Sequence, residues 1–190
     1  VMVIYSGLCG TLTELACNTS SAVQVTGLVP GTTYYVRLFT NIIGVADNSS
    51  YNICVTTPPS PPSNDACANA INLTVNPNYA CGVVTPGTTV SANPSSGVPV
   101  PSCSTFGLND EVWFKFTATN TIHRISLLNI SNNTAMTSVV YVGTCLALNE
   151  VNCSTSNLYN VGGLTPGVTY YVRVYTTSSI STVDATFNIC

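Results

Sequence analysis

The chain has 190 residues, 45% of them hydrophobic and only 6% charged, with a net charge of −3. That hydrophobicity excludes a disordered chain, and four basic residues exclude the clustered Lys and Arg that phosphate neutralisation needs, so nucleic acid is not an expected partner. Nine cysteines without a C-x-x-C pair or a histidine cluster point to disulfides in an extracellular compartment rather than to zinc, and no apolar run of about 20 residues offers a membrane span.

Residues 28–40 read "LVPGTTYYVRLFT", and residues 164–176 read "LTPGVTYYVRVYT". Aligning the two aligns 1–54 with 137–190 without a gap, so that Cys9, Cys17, Arg37 and Cys54 match Cys145, Cys153, Arg173 and Cys190. The offset is 136 positions (145 − 9). Residues 1–54 are thus expected to be the C-terminal half of a repeat module, completed by something outside this chain. Residues 55–63, "VTTPPSPPS", are a Pro-rich linker with polyproline II character, and residues 64–190 form one complete module.

Within that module "NDACANAINL" (64–73) is the one candidate for a short helix. Five segments then read as strands rich in β-branched and aromatic residues: 111–118, 124–130, 137–143, 169–176 and 185–190. The fold class is all-β, a series of antiparallel β-sandwich modules of jelly-roll or Ig-like type, braced by disulfides. In the repeated L-x-P-G-x-x-Y-x-V, Pro166 and Gly167 set a turn. The Tyr170 hydroxyl is placed to return to upstream backbone as a tyrosine corner.

The cysteine spacing suggests local bridges, Cys9 with Cys17 and Cys145 with Cys153, across "GTCLALNEVNC" and its repeat. Cys67 and Cys190 would then clamp the module ends, Cys81 would pair with Cys103, and Cys54 would lack its partner.

The ordered motifs "SNDACANAINLTV", "VPVPSC", "NDEVWFKFTA", "VVYVGTCLALNEVNC", "LTPGVTYYVRVY" and "FNIC" resemble a repeated β-sandwich module of large secreted and cell-surface proteins of the Bacteroidota. These include adhesion and gliding proteins and other type IX secretion cargo. The module is similar to the bacterial pre-peptidase C-terminal domain, and its corner resembles that of fibronectin type III domains. The resemblance implies an extracellular or cell-surface location. It also implies an acidic cluster after the cysteine at 153 that holds calcium, but "CSTSNLYN" has no carboxylate, so calcium is not expected there and no cofactor is assigned. Asp110 and Glu111 are weak metal candidates, because two carboxylates fall short of the six to eight oxygens calcium takes.

No catalytic constellation emerges, and the chain is not expected to be an enzyme. His123, the one histidine, reads as a strand residue without a nucleophile or orienting acid, while Glu14, Asp47, Asp65, Glu150 and Asp184 are scattered. Arg37 and Arg173 are expected to stack on aromatics or pair with the repeated Glu14 and Glu150. The period-two row Tyr35, Arg37, Phe39 and its repeat Tyr171, Arg173, Tyr175 is a candidate binding face, for surface glycans or, by burial, for neighbouring repeat modules or identical subunits. Two functions follow: a structural and adhesive repeat of a long surface protein or filament, or a carbohydrate-binding accessory module of a secreted hydrolase.

Overall fold

A computed structural model describes residues 1–41, 50–103, 110–178 and 183–190. The chain divides into two compact units, Val1–Thr56 and Thr57–Cys190, and residues 51–62 carry no regular secondary structure.

Among its described residues the first unit forms a three-stranded antiparallel sheet in the order β2-β1-β3, with β1 at Met2–Ser6, β2 at Thr13–Asn18 and β3 at Tyr35–Leu38.

The second unit is an all-β sandwich. One sheet has five strands in the order β4 (Ile71–Asn72), β6 (Val112–Thr117), β11 (Thr169–Thr176), β8 (Met136–Thr144) and β9 (Ala147–Ser154). The other has four, β10 (Leu158–Gly162), β7 (Ile122–Leu128), β12 (Thr186–Ile189) and β5 (Thr85–Thr88). All pairings are antiparallel except the short parallel one of β4 with β6. The helix expected at 64–73 shrinks to one 3-10 turn, Cys67–Asn69. Leu73 then donates its N–H to the Lys115 carbonyl, so the backbone satisfies itself on a sheet edge instead.

Alternation along the strands divides the buried residues between two faces. Phe114, Phe116, Tyr170, Val172 and Val174 point between the sheets, against Ile125, Leu127, Phe187 and Ile189. Trp113, Val139, Tyr141 and Tyr175 point to the outer face of the five-stranded sheet and form a second core with Cys67, Ala70 and Leu148. The module's own loop 93–103 is tied to that face. Ser95 donates its N–H to Glu111 at 2.6 Å and its hydroxyl accepts from the Trp113 indole, while Glu150 accepts from the backbone and hydroxyl of Ser102.

Both copies of the repeated corner close as tyrosine corners. Thr165 N–H donates to the Tyr170 hydroxyl at 2.9 Å, and Val29 N–H donates to that of Tyr34 at 2.8 Å. Both copies also shift register at one repeat position, between Ile4 and Tyr5 and between Val140 and Tyr141. The repeated glycine beyond this shift is required by space and backbone alike: Gly143 has φ +117°, and a Cβ there would meet the Ala147 carbonyl oxygen at 2.2 Å.

The disulfides differ from those expected. They join Cys67 to Cys145, Cys81 to Cys190 and Cys103 to Cys153, and Cys9, Cys17 and Cys54 are unbonded. Sheet register is the reason. Thr144 pairs with Ala147, so Cys145 sits in the hairpin turn itself, while Cys153 lies six residues beyond Ala147 along β9 and opposite Val139. At about 3.3 Å per residue that is roughly 20 Å from the turn, well beyond the ~7 Å Cα limit of a disulfide. The same hairpin geometry separates Cys9 from Cys17, which lies opposite Val3. Because β5 pairs with β12 through Thr85 and Ile189, Cys190 emerges beside Cys81 rather than Cys67.

The Arg173 guanidinium contacts Glu111 at 2.9 Å with both side chains buried, and lies 5.7 Å from the Trp113 ring and 5.4 Å from that of Tyr175. The expected stacking is therefore present in this copy, but the carboxylate partner is Glu111, with Glu150 bound to Ser102 instead. Replacing one member of such a pair leaves the other charge buried and unpaired, so Arg173→Met is expected to destabilise the second unit by about 3–5 kcal/mol, measured by denaturant unfolding.

Candidate functional site

Residues 73–84 leave β4 and return to β5 as a loop that forms one wall of a cleft of 390 Å³ in the second unit. A side-chain amide sets this loop: Asn76 donates to the Val83 carbonyl at 2.7 Å and accepts the Val83 N–H at 2.8 Å. Asn78 accepts the Ala80 N–H at 2.9 Å, and the Cys81–Cys190 bond roots the loop at the end of β12. Tyr79 is thereby presented with 62% of its surface exposed.

The opposite wall comes from β7 and the turn before it. The Arg124 guanidinium lies 3.9 Å over the Tyr79 ring, a cation–π contact. Its Nε donates at 3.1 Å to the Asn160 side chain, which stands directly across the β7–β10 pair. Thr119 and Asn120 both donate backbone N–H groups to His123 Nε2, at 3.0 and 3.1 Å. The neutral ring then carries its proton on Nδ1, and burial lowers its pKa from the usual imidazole value. Leu73, Val75, Phe116 and Ile125 supply apolar surface, and no Asp or Glu is among the described lining residues. An exposed aromatic, a cation, amides and a neutral imidazole around an apolar patch suit a polar organic ligand held by stacking and hydrogen bonds.

Of the residues singled out in the sequence, His123, Cys81 and Cys190 line this cleft, whereas the candidate binding row and metal residues lie elsewhere. Arg173 and Tyr175 are buried and Tyr171 half-buried on the outer face of the five-stranded sheet, where Arg173 donates to the Pro99 carbonyl of the covering loop. That row is therefore not an open binding face in the second unit. In the first unit Arg37 and Phe39 are exposed, the guanidinium 5.1 Å over the ring, and hydrogen bonding to Cys9 raises the Tyr35 phenol pKa. Asp110 and Glu111 are buried and already engaged: Asp110 accepts the Thr176 N–H, and Glu111 holds Arg173 and Ser95. Asp47 lies outside the described residues. Among the described residues no group of three or more His, Cys, Asp or Glu is placed to hold a metal ion.

A family described as galactose-binding-domain-like, and associated with type IX secretion, matches residues 63–189. The chain belongs to this family. No curated protein and no solved structure gives a significant match. Membership in a galactose-binding-like, type IX secretion-associated family points to a carbohydrate-binding or accessory module, and with the disulfides to an extracellular or cell-surface protein. Among the described residues no helix is long and apolar enough to cross a membrane.

Sequence reasoning missed the cleft of this galactose-binding-like domain because Tyr79, Arg124 and Asn160 come from three separate stretches. The one local signal was the turn-forming cluster "NPNY" at 76–79, too short to announce a site.

Asp110 and His123 make the domain's stability depend on pH in opposite senses. Burial raises the Asp110 pKa from 3.8 to about 6, so its protonation favours the folded state: that contribution is full below 3.8 and lost as pH rises through about 6. The lowered pKa of His123 favours folding above 6.5, and this is lost as pH falls through the depressed folded value. Asp110→Asn keeps an acceptor for Thr176 and removes the buried charge. It is expected to match or exceed the natural protein in stability at pH 7, and to lack the Asp110 contribution to the pH 4–7 profile, at most about 3 kcal/mol at ~1.4 kcal/mol per pKa unit. Urea unfolding across that range measures both.

Proposed function

We propose that residues 57–190 form a non-catalytic carbohydrate-binding module of a secreted or surface-held protein, and that the cleft between loop 73–84 and β7 is where the sugar sits. The observation that carries this reading is the solvent-open stack of Arg124 on Tyr79, framed by the Asn76, Asn120 and His123 side chains over apolar surface. A sugar ring has apolar C–H faces and a polar rim, and the cleft offers both kinds of contact. Membership in a galactose-binding-like family favours the same reading. Arg124 adds one positive charge with no Asp or Glu among the described lining residues, so sugars carrying a carboxylate gain an extra contact.

An adhesive role follows if the parent protein presents this module to glycans on a surface. The structural reading is favoured by a separate observation, the repeat at 136-residue spacing with few surface charges, which suits close packing of like modules. The two are compatible in one molecule.

Binding of the 190-residue protein to an array of neutral galactosides and uronate-bearing oligosaccharides tests the proposal. Tyr79→Ala and Arg124→Ala are each expected to weaken binding by about tenfold or more, the equivalent of ~1.4 kcal/mol, without lowering the unfolding temperature by more than a few degrees. Binding that survives both substitutions would move the site elsewhere, and an array with no bound glycan would leave the structural role as the better account.

A further inference from the structure

The three unbonded cysteines of the first unit are the repeat equivalents of three cysteines that are all bonded in the second: Cys9 of Cys145, Cys17 of Cys153 and Cys54 of Cys190. In the second unit the partners, Cys67, Cys103 and Cys81, all come from residues 57–136. Those residues also supply β6, which pairs with β11, and loop 93–103, which is tied to the outer face of that sheet. Among the described residues of the first unit β3, the equivalent of β11, pairs with β1 alone, on one side.

Side-chain exposure follows the same division. Leu28 is 44% exposed where its equivalent Leu164 is 3%, and Ile53 is 50% exposed where Ile189 is fully buried. Val36, Phe39 and Tyr51 are likewise exposed where Val172, Tyr175 and Phe187 are buried. Val3 and Ile4 stay buried in β1, but around them the first unit leaves exposed five residues whose equivalents are covered in the second unit.

We propose that the first unit is a docking surface for a polypeptide segment of the same kind as residues 57–136. The segment adds a strand along the free edge of β3, covers both faces, and is sealed by disulfides from the positions of Cys67, Cys103 and Cys81 to Cys9, Cys17 and Cys54. It also brings a carboxylate at the place of Glu111 to Arg37. A second folded copy of this chain is not the occupant, because its own Cys67, Cys81 and Cys103 are already bonded within its second unit. Each new bond forms as two thiols lose two protons and two electrons to a disulfide oxidant, which leaves as two thiols.

The repeat register supplies the test. Because Val1 corresponds to position 137, fusing an extra copy of residues 57–136 directly ahead of Val1 places the added segment in phase. The 190-residue chain, refolded in oxidised and reduced glutathione, is expected to take up three equivalents of alkylating reagent. The fused chain is expected to take up none and to yield, on unreduced digestion, added Cys67 linked to Cys9, added Cys103 to Cys17 and added Cys81 to Cys54. The bonds within residues 57–190 serve as the folding control. If these are intact while Cys9, Cys17 and Cys54 remain reactive, the proposal is overturned. As a second arm, the reduced 57–136 segment is added to the unaltered chain in the same buffer. A covalent one-to-one adduct with the same three linkages supports the proposal, whereas no adduct, or chain dimers linked through Cys9, Cys17 or Cys54, overturns it.

Discussion

Every disulfide of the second unit connects residues 67–103 to residues 145–190, and no part of the sandwich is complete on one side of that division. The noncovalent contacts obey the same constraint: β6 pairs with β11, β5 with β12, and the buried ion pair joins Glu111 to Arg173. Loops of 50, 78 and 109 residues are closed in this way, each worth about 4–5 kcal/mol in the chain-entropy description. The cleft inherits its shape from one of these closures, since the loop that presents Tyr79 is rooted through Cys81 on the last residue of the sandwich. The proposed ligand site and the covalent bracing thus share one piece of backbone.

Charge is scarce enough that each cation occupies a distinct environment. Arg173 is buried against Glu111, Arg124 stacks on Tyr79 in the cleft, and Arg37 lies over Phe39 in the first unit, while Lys115 is half-buried on β6. The same repeat position holds Arg37 and Arg173, yet one is exposed and the other buried. Surroundings rather than residue type decide what an arginine does here.

Features set by a few neighbouring residues were legible in the sequence. The tyrosine corner needs only Pro, Gly and a tyrosine at fixed offsets, and five strands announced themselves through β-branched and aromatic runs. Short or unusual strands were not legible: β5 reads "TPGT", and Pro86 is tolerated because the strand lies at a sheet edge. Gly87 belongs there for a reason visible only in three dimensions, since a Cβ would come within 2.5 Å of the Phe187 ring. Disulfide pairing also escaped, because spacing along the chain cannot say that Cys145 lies in a turn and Cys153 at the far end of a strand. The cleft escaped for the same reason: cross-strand register brings Asn160 to Arg124, and the loop rooted at Cys81 brings Tyr79 to the Arg124 guanidinium.

The Cys81–Cys190 bond also governs how this domain responds to pulling. A force applied between Cys67 and Cys190 cannot draw out the chain between them, because the shortest covalent path runs from 67 to 81 and then across the bridge. Fully extended, those fourteen residues span about 50 Å, against roughly 440 Å for the uncrosslinked stretch at ~3.6 Å per residue. Under tension the domain acts as a short tether with little hidden length, and a reducing environment would turn it into a long one.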